Sequence, residues 1–259
     1  MKKFVILTTQ RSGSTLLWRY LNQHPSIKGH GEIFLRNTDR EDSYRMYLKT
    51  RRLGLIQNRL ARGRMIDSFM KTLIPDDRET KSFGFKLMYT QRNRDLTRYL
   101  KANDFHIIHL IRQNVLKTYI SRVTAQARNT YHAEPGEKVE KVTITLQTDT
   151  LINELRTIKN EIEYHRKLFS DSPYMEVFYE ELIDDKKGVT QSILEHLSLD
   201  TEKVPKMEFP LKKINPDNLA ELIENYDEVE RLLRQSEFGN LLDNRKEEML
   251  TSTIEPQPA

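Results

Sequence analysis

Cysteine is absent from all 259 residues. That excludes disulfides and thiolate zinc sites as the source of stability, and it fits a reducing compartment. Long hydrophobic runs are absent too: nothing approaches the roughly eighteen apolar residues of a membrane-spanning helix. Met1-Lys2-Lys3 and the four apolar residues after it imitate the start of a signal peptide. The run stops at Thr8, however, and no small-residue cleavage site follows. A soluble, cytoplasmic protein is the expectation. Charge of one sign is scarce: 42 basic residues against 38 acidic ones leave a formal net charge of +4. Such a balance suits an anionic ligand in one pocket and argues against an extended nucleic-acid track. There is no internal repeat. With 37% hydrophobic residues, eleven Tyr and ten Phe, the chain can still build a substantial core. One domain over residues 1–240 with a tail at 241–259 is expected.

The most informative stretch is residues 4–21, FVILTTQRSGSTLLWRYL. Phe4-Val5-Ile6-Leu7 is long enough for a buried strand. A polar turn follows from Thr8 to Ser14, and then Leu16, Leu17, Tyr20 and Leu21 recur at helical spacing. Strand, tight loop and helix make an anion site, because the first helical N–H groups lack partners and carry the positive end of the dipole. Gly13 allows a close backbone approach. Ser12, Ser14 and Thr15 supply hydroxyls, and Arg11 a forked cation. The familiar nucleotide loop G-x-x-x-x-G-K-S/T needs a second glycine and a lysine, and neither is here. A Walker-type phosphotransferase is thereby disfavoured.

A second unit of the same kind starts at Phe105–Ile111, FHIIHLI, nearly continuous in apolar residues as a central parallel strand should be. Arg112 closes it, and Val115, Tyr119, Ile120 and Val123 keep helical spacing after it. Ligands of open α/β sheets sit outside the carboxyl ends of the strands. Arg11, Ser14 and Arg112 are therefore expected on one edge. Residues 83–91, FGFKLMYTQ, alternate as a strand, with Lys86 and Gln91 expected toward the same end. Residues 174–179 give a further strand, running into Tyr179-Glu180-Glu181-Leu182. Helices are expected over 149–169, 189–197 and 216–234. His106 and His109 read as packed, hydrogen-bonded histidines. The arginine-rich residues 39–72 read as solvated helix faces within an insertion at 39–80 that shapes a substrate pocket. The polar residues 125–148, with Pro135-Gly136, read as a lid loop carrying Tyr131 and His132.

Arg-Ser-Gly-Ser-Thr after an N-terminal strand resembles the 5′-phosphosulfate loop of sulfotransferases that use PAPS (3′-phosphoadenosine 5′-phosphosulfate), and within them the bacterial and carbohydrate-type branch. The resemblance implies a P-loop-like α/β fold: a single domain whose mostly parallel sheet of four or five strands has helices on both faces. It implies that Arg11, Ser12, Gly13, Ser14, Thr15 and Leu16 hold the 5′ side of the cofactor. Strand, arginine and a serine two helical turns later match the family's 3′-phosphate motif, which makes Arg112 and Ser121 its counterparts. The serine is one residue further on than is common, and Asn114 stands for a frequent proline. Tyr179 is implied at the adenine side. Lys212 and Lys213 fall in a late basic loop that closes over PAPS in the family.

On the reacting side the family carries an acidic residue shortly after the first helix. Glu32 falls there, with Ile33 where proline is usual. A hydroxyl that attacks sulfur must lose its proton, and a carboxylate within reach can take it. His30 is the alternative base. Lys86 lies in Gly-x-Lys-Leu-Met, which also resembles a family strand. The implied activity is sulfuryl transfer from PAPS to a hydroxyl of a carbohydrate or other small-molecule alcohol, releasing adenosine 3′,5′-bisphosphate. No metal is expected. The alternatives are a P-loop-type phosphotransferase and a non-catalytic adenylate-binding module.

Overall fold

The computed structural model describes residues 1–51, 55–128, 142–203 and 218–242, and of 55–60 the backbone alone. Five strands form one sheet: β1 (Lys2–Thr8), β2 (Ile27–His30), β3 (Ser82–Met88), β4 (Phe105–Ile111) and β5 (Tyr174–Phe178). Their order is β2-β3-β1-β4-β5, and every pairing is parallel. The sheet's centre is β1, whose Phe4, Val5, Ile6 and Leu7 are all at 0% exposure. A strand covered on both faces needs an apolar residue at each position, and this one has it.

Helices cover both faces. Over one lie α1 (Ser14–Leu21), α7 (Tyr179–Asp184) and α8 (Lys186–His196), packed on Phe4, Ile6, Ile108 and Leu110. The other face carries Val5, Leu7, Phe83, Phe85 and Leu87. It is covered by α3 (Leu55–Leu73), α4 (Arg94–Ala102), α5 (Val115–Ala127), α6 (Thr148–Leu168) and α9 (Tyr226–Arg234), with α2 (Tyr44–Thr50) at its margin. Among the described residues no helix is long and apolar enough to cross a membrane.

Four elements differ from expectation. The alternation of residues 83–91 continues past the strand, which stops at Met88. Tyr89–Gln91 is a 3-10 turn. β2 is an unexpected strand, a four-residue edge held by pairing with β3. Glu180 and Glu181 belong to α7 and not to the end of β5. The helix expected over 216–234 is broken. A 3-10 turn at Leu219–Glu221 precedes α9. Ile144 causes the break: its N–H donates to Leu222 O (2.9 Å) and its carbonyl accepts from Glu224 N–H (3.0 Å). That strand-like exchange pulls the backbone out of the helix between the two. Residues 129–141 and 204–217, which include Tyr131, His132, Lys212 and Lys213, lie outside the described residues.

Candidate active site

The chain turns sharply after β1. Thr8 Oγ1 donates to Leu110 O (2.7 Å) and ties the ends of β1 and β4 together. Arg11 (φ 67°) and Gly13 (φ 83°) both adopt the left-handed region, two residues in three. Gly13 is the N-cap of α1, so no side chain fills the capping role, and no acidic residue stands in the first turn. Leu16 and Leu17 N–H both donate to Gly13 O, at 3.0 and 3.2 Å. The N–H groups ahead of them have no helical partner, and the helix dipole leaves positive charge there. The Leu16 side chain packs in the core beneath, so only its backbone belongs to the loop. Ser14 is buried and Thr15 half-buried. Ser12 is fully buried, and its Oγ has no hydrogen-bond partner among the described residues. A buried hydroxyl left so costs about 1–3 kcal/mol. An anion in the loop would remove that cost.

Tyr179, at the start of α7, lies across this loop. A Cβ on Gly13 would meet Tyr179 Cδ2 at 2.5 Å, so glycine is required here for space as well as for φ. The Arg112 guanidinium, from the end of β4, sits over the same ring, 4.7 Å from its centroid. Arg112 Nη1 also donates to Arg11 O (3.4 Å). Arg11 Nε in turn donates to Ser121 Oγ on α5 (3.1 Å). Glu180 accepts from the N–H groups of Gln113 and Asn114, at 3.1 and 3.4 Å, and so fixes the turn from β4 into α5. Asn114 caps α5 by accepting from Lys117 N–H. The structure thus gathers Arg11, Gly13, Arg112, Ser121 and Tyr179 at the carboxyl ends of β1 and β4. The strand order reverses there, which is where open α/β sheets hold ligands.

Beside the loop, on the β3 side, stands a carboxylate. Glu32 follows β2. Its Oε2 accepts from Gln91 Nε2 (2.7 Å), and its Oε1 lies 3.6 Å from Lys86 Nζ. Lys86 Nζ also donates to Thr15 Oγ1 (3.3 Å), which links the carboxylate to the first turn of α1. Burial pushes the Lys86 ammonium down from the ordinary lysine value, against the raising effect of Glu32. His30 is elsewhere. It pairs in register with Phe85, and its ring lies 5.7 Å from that of Phe83, on the sheet face opposite α1. Its Nδ1 bonds Asp42 Oδ2 (3.0 Å), and Arg40 holds both Asp42 oxygens. Burial works to raise the Asp42 carboxyl, but the Arg40 and His30 donors outweigh it and hold it low.

Gln91 does lie at the end of the sheet where the sequence puts it with Lys86, though in a 3-10 turn and not in the strand. Glu180 is the working side chain that sequence reasoning gave no role, visible only as part of Tyr-Glu-Glu-Leu. An open hollow of about 480 Å³ beside β5 and α8 is lined by Glu176, Glu181, Asp184 and Asp185. Its charge has the wrong sign for a sulfate or phosphate donor. Among the described residues no group of side chains has the makings of a metal site.

The model of the Sulfotransferase family matches residues 4–203. A solved sulfotransferase from Alicyclobacillus acidocaldarius is similar in fold: its TM-score is 0.51 at 17% identity, over 91% of this chain and 95% of that one. The sulfotransferase domain of the Synechococcus PCC 7002 olefin synthase aligns with a TM-score of 0.46 at 19% identity, over 84% of this chain and 82% of that one. No curated protein compared with the chain matches it. A family match over most of the chain, on a five-stranded parallel sheet, makes this chain a member of the sulfotransferase family.

Proposed function

We propose that the protein transfers a sulfuryl group from PAPS to a hydroxyl of a carbohydrate or other small-molecule alcohol, with Glu32 as general base. The observation that carries this reading is the contact chain Glu32–Lys86–Thr15, which joins a carboxylate to the anion loop. The orphaned Ser12 hydroxyl and the uncapped start of α1 fit the phosphosulfate end of PAPS. The Arg11, Arg112 and Ser121 cluster fits its 3′-phosphate. Bound there, PAPS supplies a sulfuryl group on an anhydride, with adenosine 3′,5′-bisphosphate as leaving group.

Each residue then has a task. Glu32 accepts the proton of the acceptor hydroxyl as that oxygen bonds to sulfur. Lys86, next to Thr15, supplies positive charge where the leaving phosphate gains negative charge, as do the loop N–H groups. Arg112 and Ser121 hold the 3′-phosphate and so set the register of the donor. Glu32 is favoured over His30 because it contacts Lys86 beside the loop, whereas His30, in register with Phe85, lies on the other face of the sheet.

The test is incubation with sulfur-labelled PAPS and a fractionated metabolite extract. Wild type should move label to a hydroxyl-bearing fraction. Glu32→Gln keeps the shape but cannot take the proton, and should cut label transfer on the order of 10²–10⁴-fold with bisphosphate binding unchanged. Undiminished transfer by Glu32→Gln would sink the assignment of the base. ATP, but not the bisphosphate, raising the melting temperature would sink the donor.

A further inference from the structure

Gln91 is buried at 7% exposure, three residues beyond the end of β3. Its amide has one orientation only. Oε1 accepts from the backbone N–H of Met88 (3.2 Å), a group that can only donate. Nε2 is therefore the atom that faces Glu32, and it donates to Oε2 at 2.7 Å. The other carboxylate oxygen lies by Lys86. The two oxygens of Glu32 are thus distinguished, one by an amide and one by an ammonium.

The turn that carries Gln91 is fixed from below. Tyr89 is buried, and its hydroxyl bonds His109 Nε2. Tyr174 OH donates to Glu176 Oε1 (2.8 Å), so at His109 it must accept, from Nδ1–H (2.6 Å). His109 Nε2 is left bare as the acceptor for Tyr89 O–H. Arg166 completes the series by donating to both oxygens of Glu176, at 2.6 and 2.8 Å. The Tyr89 ring stacks on His165 at 4.1 Å between centroids. Five side chains from β4, β5 and α6 thus hold a three-residue turn whose last member touches Glu32.

We propose that Gln91 is a positioning residue, which holds the Glu32 carboxylate in the orientation that proton transfer from the acceptor requires. The proposal rests on the reading of Glu32 as base. Glu32 is half-exposed and lies outside any helix or strand, so without Gln91 only the 3.6 Å ion pair with Lys86 orients its carboxylate, through one oxygen. Small displacements of a reacting group cost large factors in rate, up to about a hundredfold for 1 Å.

Two substitutions separate positioning from support of the turn. Gln91→Met keeps the length and removes both bonds. Gln91→Glu keeps an acceptor for Met88 N–H, and with it the turn, but replaces the neutral amide donor with a second carboxyl group that repels Glu32 or shares a proton with it. The readouts are kcat and KM with sulfur-labelled PAPS, the dissociation constant of adenosine 3′,5′-bisphosphate, and the thermal midpoint, with kcat counted per bisphosphate-binding site. Both variants should lose roughly 10–100-fold in kcat, while KM for PAPS and bisphosphate affinity stay within about twofold. A wild-type kcat in Gln91→Glu would overturn the proposal, because a role in the turn alone predicts that result. Should Gln91→Met not fold, Gln91→Glu decides the matter. Failure of the base assignment shows separately, as an active Glu32→Gln.

Discussion

Arg11 Nε donates to Ser121 Oγ across 3.1 Å, joining residues 110 positions apart in the chain. Arg11 comes from the turn after β1, and Ser121 from the second turn of α5. A serine hydroxyl has two acceptor sites and one proton. By accepting from Arg11, Ser121 keeps its own O–H available, beside the Arg11 guanidinium, for an anion. The same Arg11 takes a bond from Arg112 on its carbonyl. The two candidate phosphate motifs are therefore one connected structure before any ligand arrives.

Arg112→Ala should weaken adenosine 3′,5′-bisphosphate by about 2–4 kcal/mol, the range for losing one partner of a buried charge pair. Ser121→Ala, which removes a hydrogen bond to a charged group, should cost about 1.5–3 kcal/mol. Titration calorimetry with the bisphosphate and with an analogue lacking the 3′-phosphate checks both. The analogue should hardly notice either change. Equal weakening of the two ligands would mean that Arg112 supports the fold and does not read the phosphate.

Gly13→Ala should destabilise through two separable causes. The left-handed φ alone costs a residue with a Cβ roughly 1–2 kcal/mol. Collision with Tyr179 at 2.5 Å adds to it. In a Tyr179→Ala background only the first cost should remain, so in a double-mutant cycle read by thermal melting the double variant should lose less stability than the two single losses added together. Additive losses would show that the Tyr179 ring swings clear.

Stability should fall with acid well before the carboxylates titrate. Burial, with His165 and Arg166 adding to it, pushes His109 down to about 3. Burial likewise pushes His165 and His106 down to about 4. Unfolded histidine titrates near 6.5. Between pH 6.5 and about 4 the unfolded chain thus binds protons that the folded chain refuses. The stabilisation is whole above pH 6.5 and drains away as pH drops through that window. The thermal midpoint at pH 5 should lie clearly below that at pH 7, and equal midpoints would contradict this account.

What the sequence makes legible follows from how local each cause is. The buried strands β1 and β4 can be read because their burial writes an apolar residue at nearly every position. The strand, turn and helix of residues 4–21 can be read because the apolar run, the glycine and the helical spacing follow one another locally. β2 cannot, since Ile-Lys-Gly-His has no strand pattern of its own and is held by β3. The break before α9 is imposed by Ile144, some eighty residues upstream in the chain. The alternation of residues 83–91 puts Gln91 at the right end of the sheet but gives it no partner. Its part depends on Met88, Glu32 and the side chains beneath Tyr89, which only the folded chain assembles.

The place of β1 has a consequence for biosynthesis. Of the five described strands β1 is made before the others and becomes the middle of the sheet, yet its neighbours begin at Ser82 and Phe105. One edge of Phe4 to Leu7 waits about eighty residues for β3 and the other about a hundred for β4, and such distant pairings form slowly. During that interval the nascent chain displays an apolar, sticky tetrapeptide that invites chaperones or aggregation. Tyr179, which lies across the loop after β1, is made later still. Bisphosphate supplied during synthesis should therefore act late, locking a completed sheet and leaving early folding unaided.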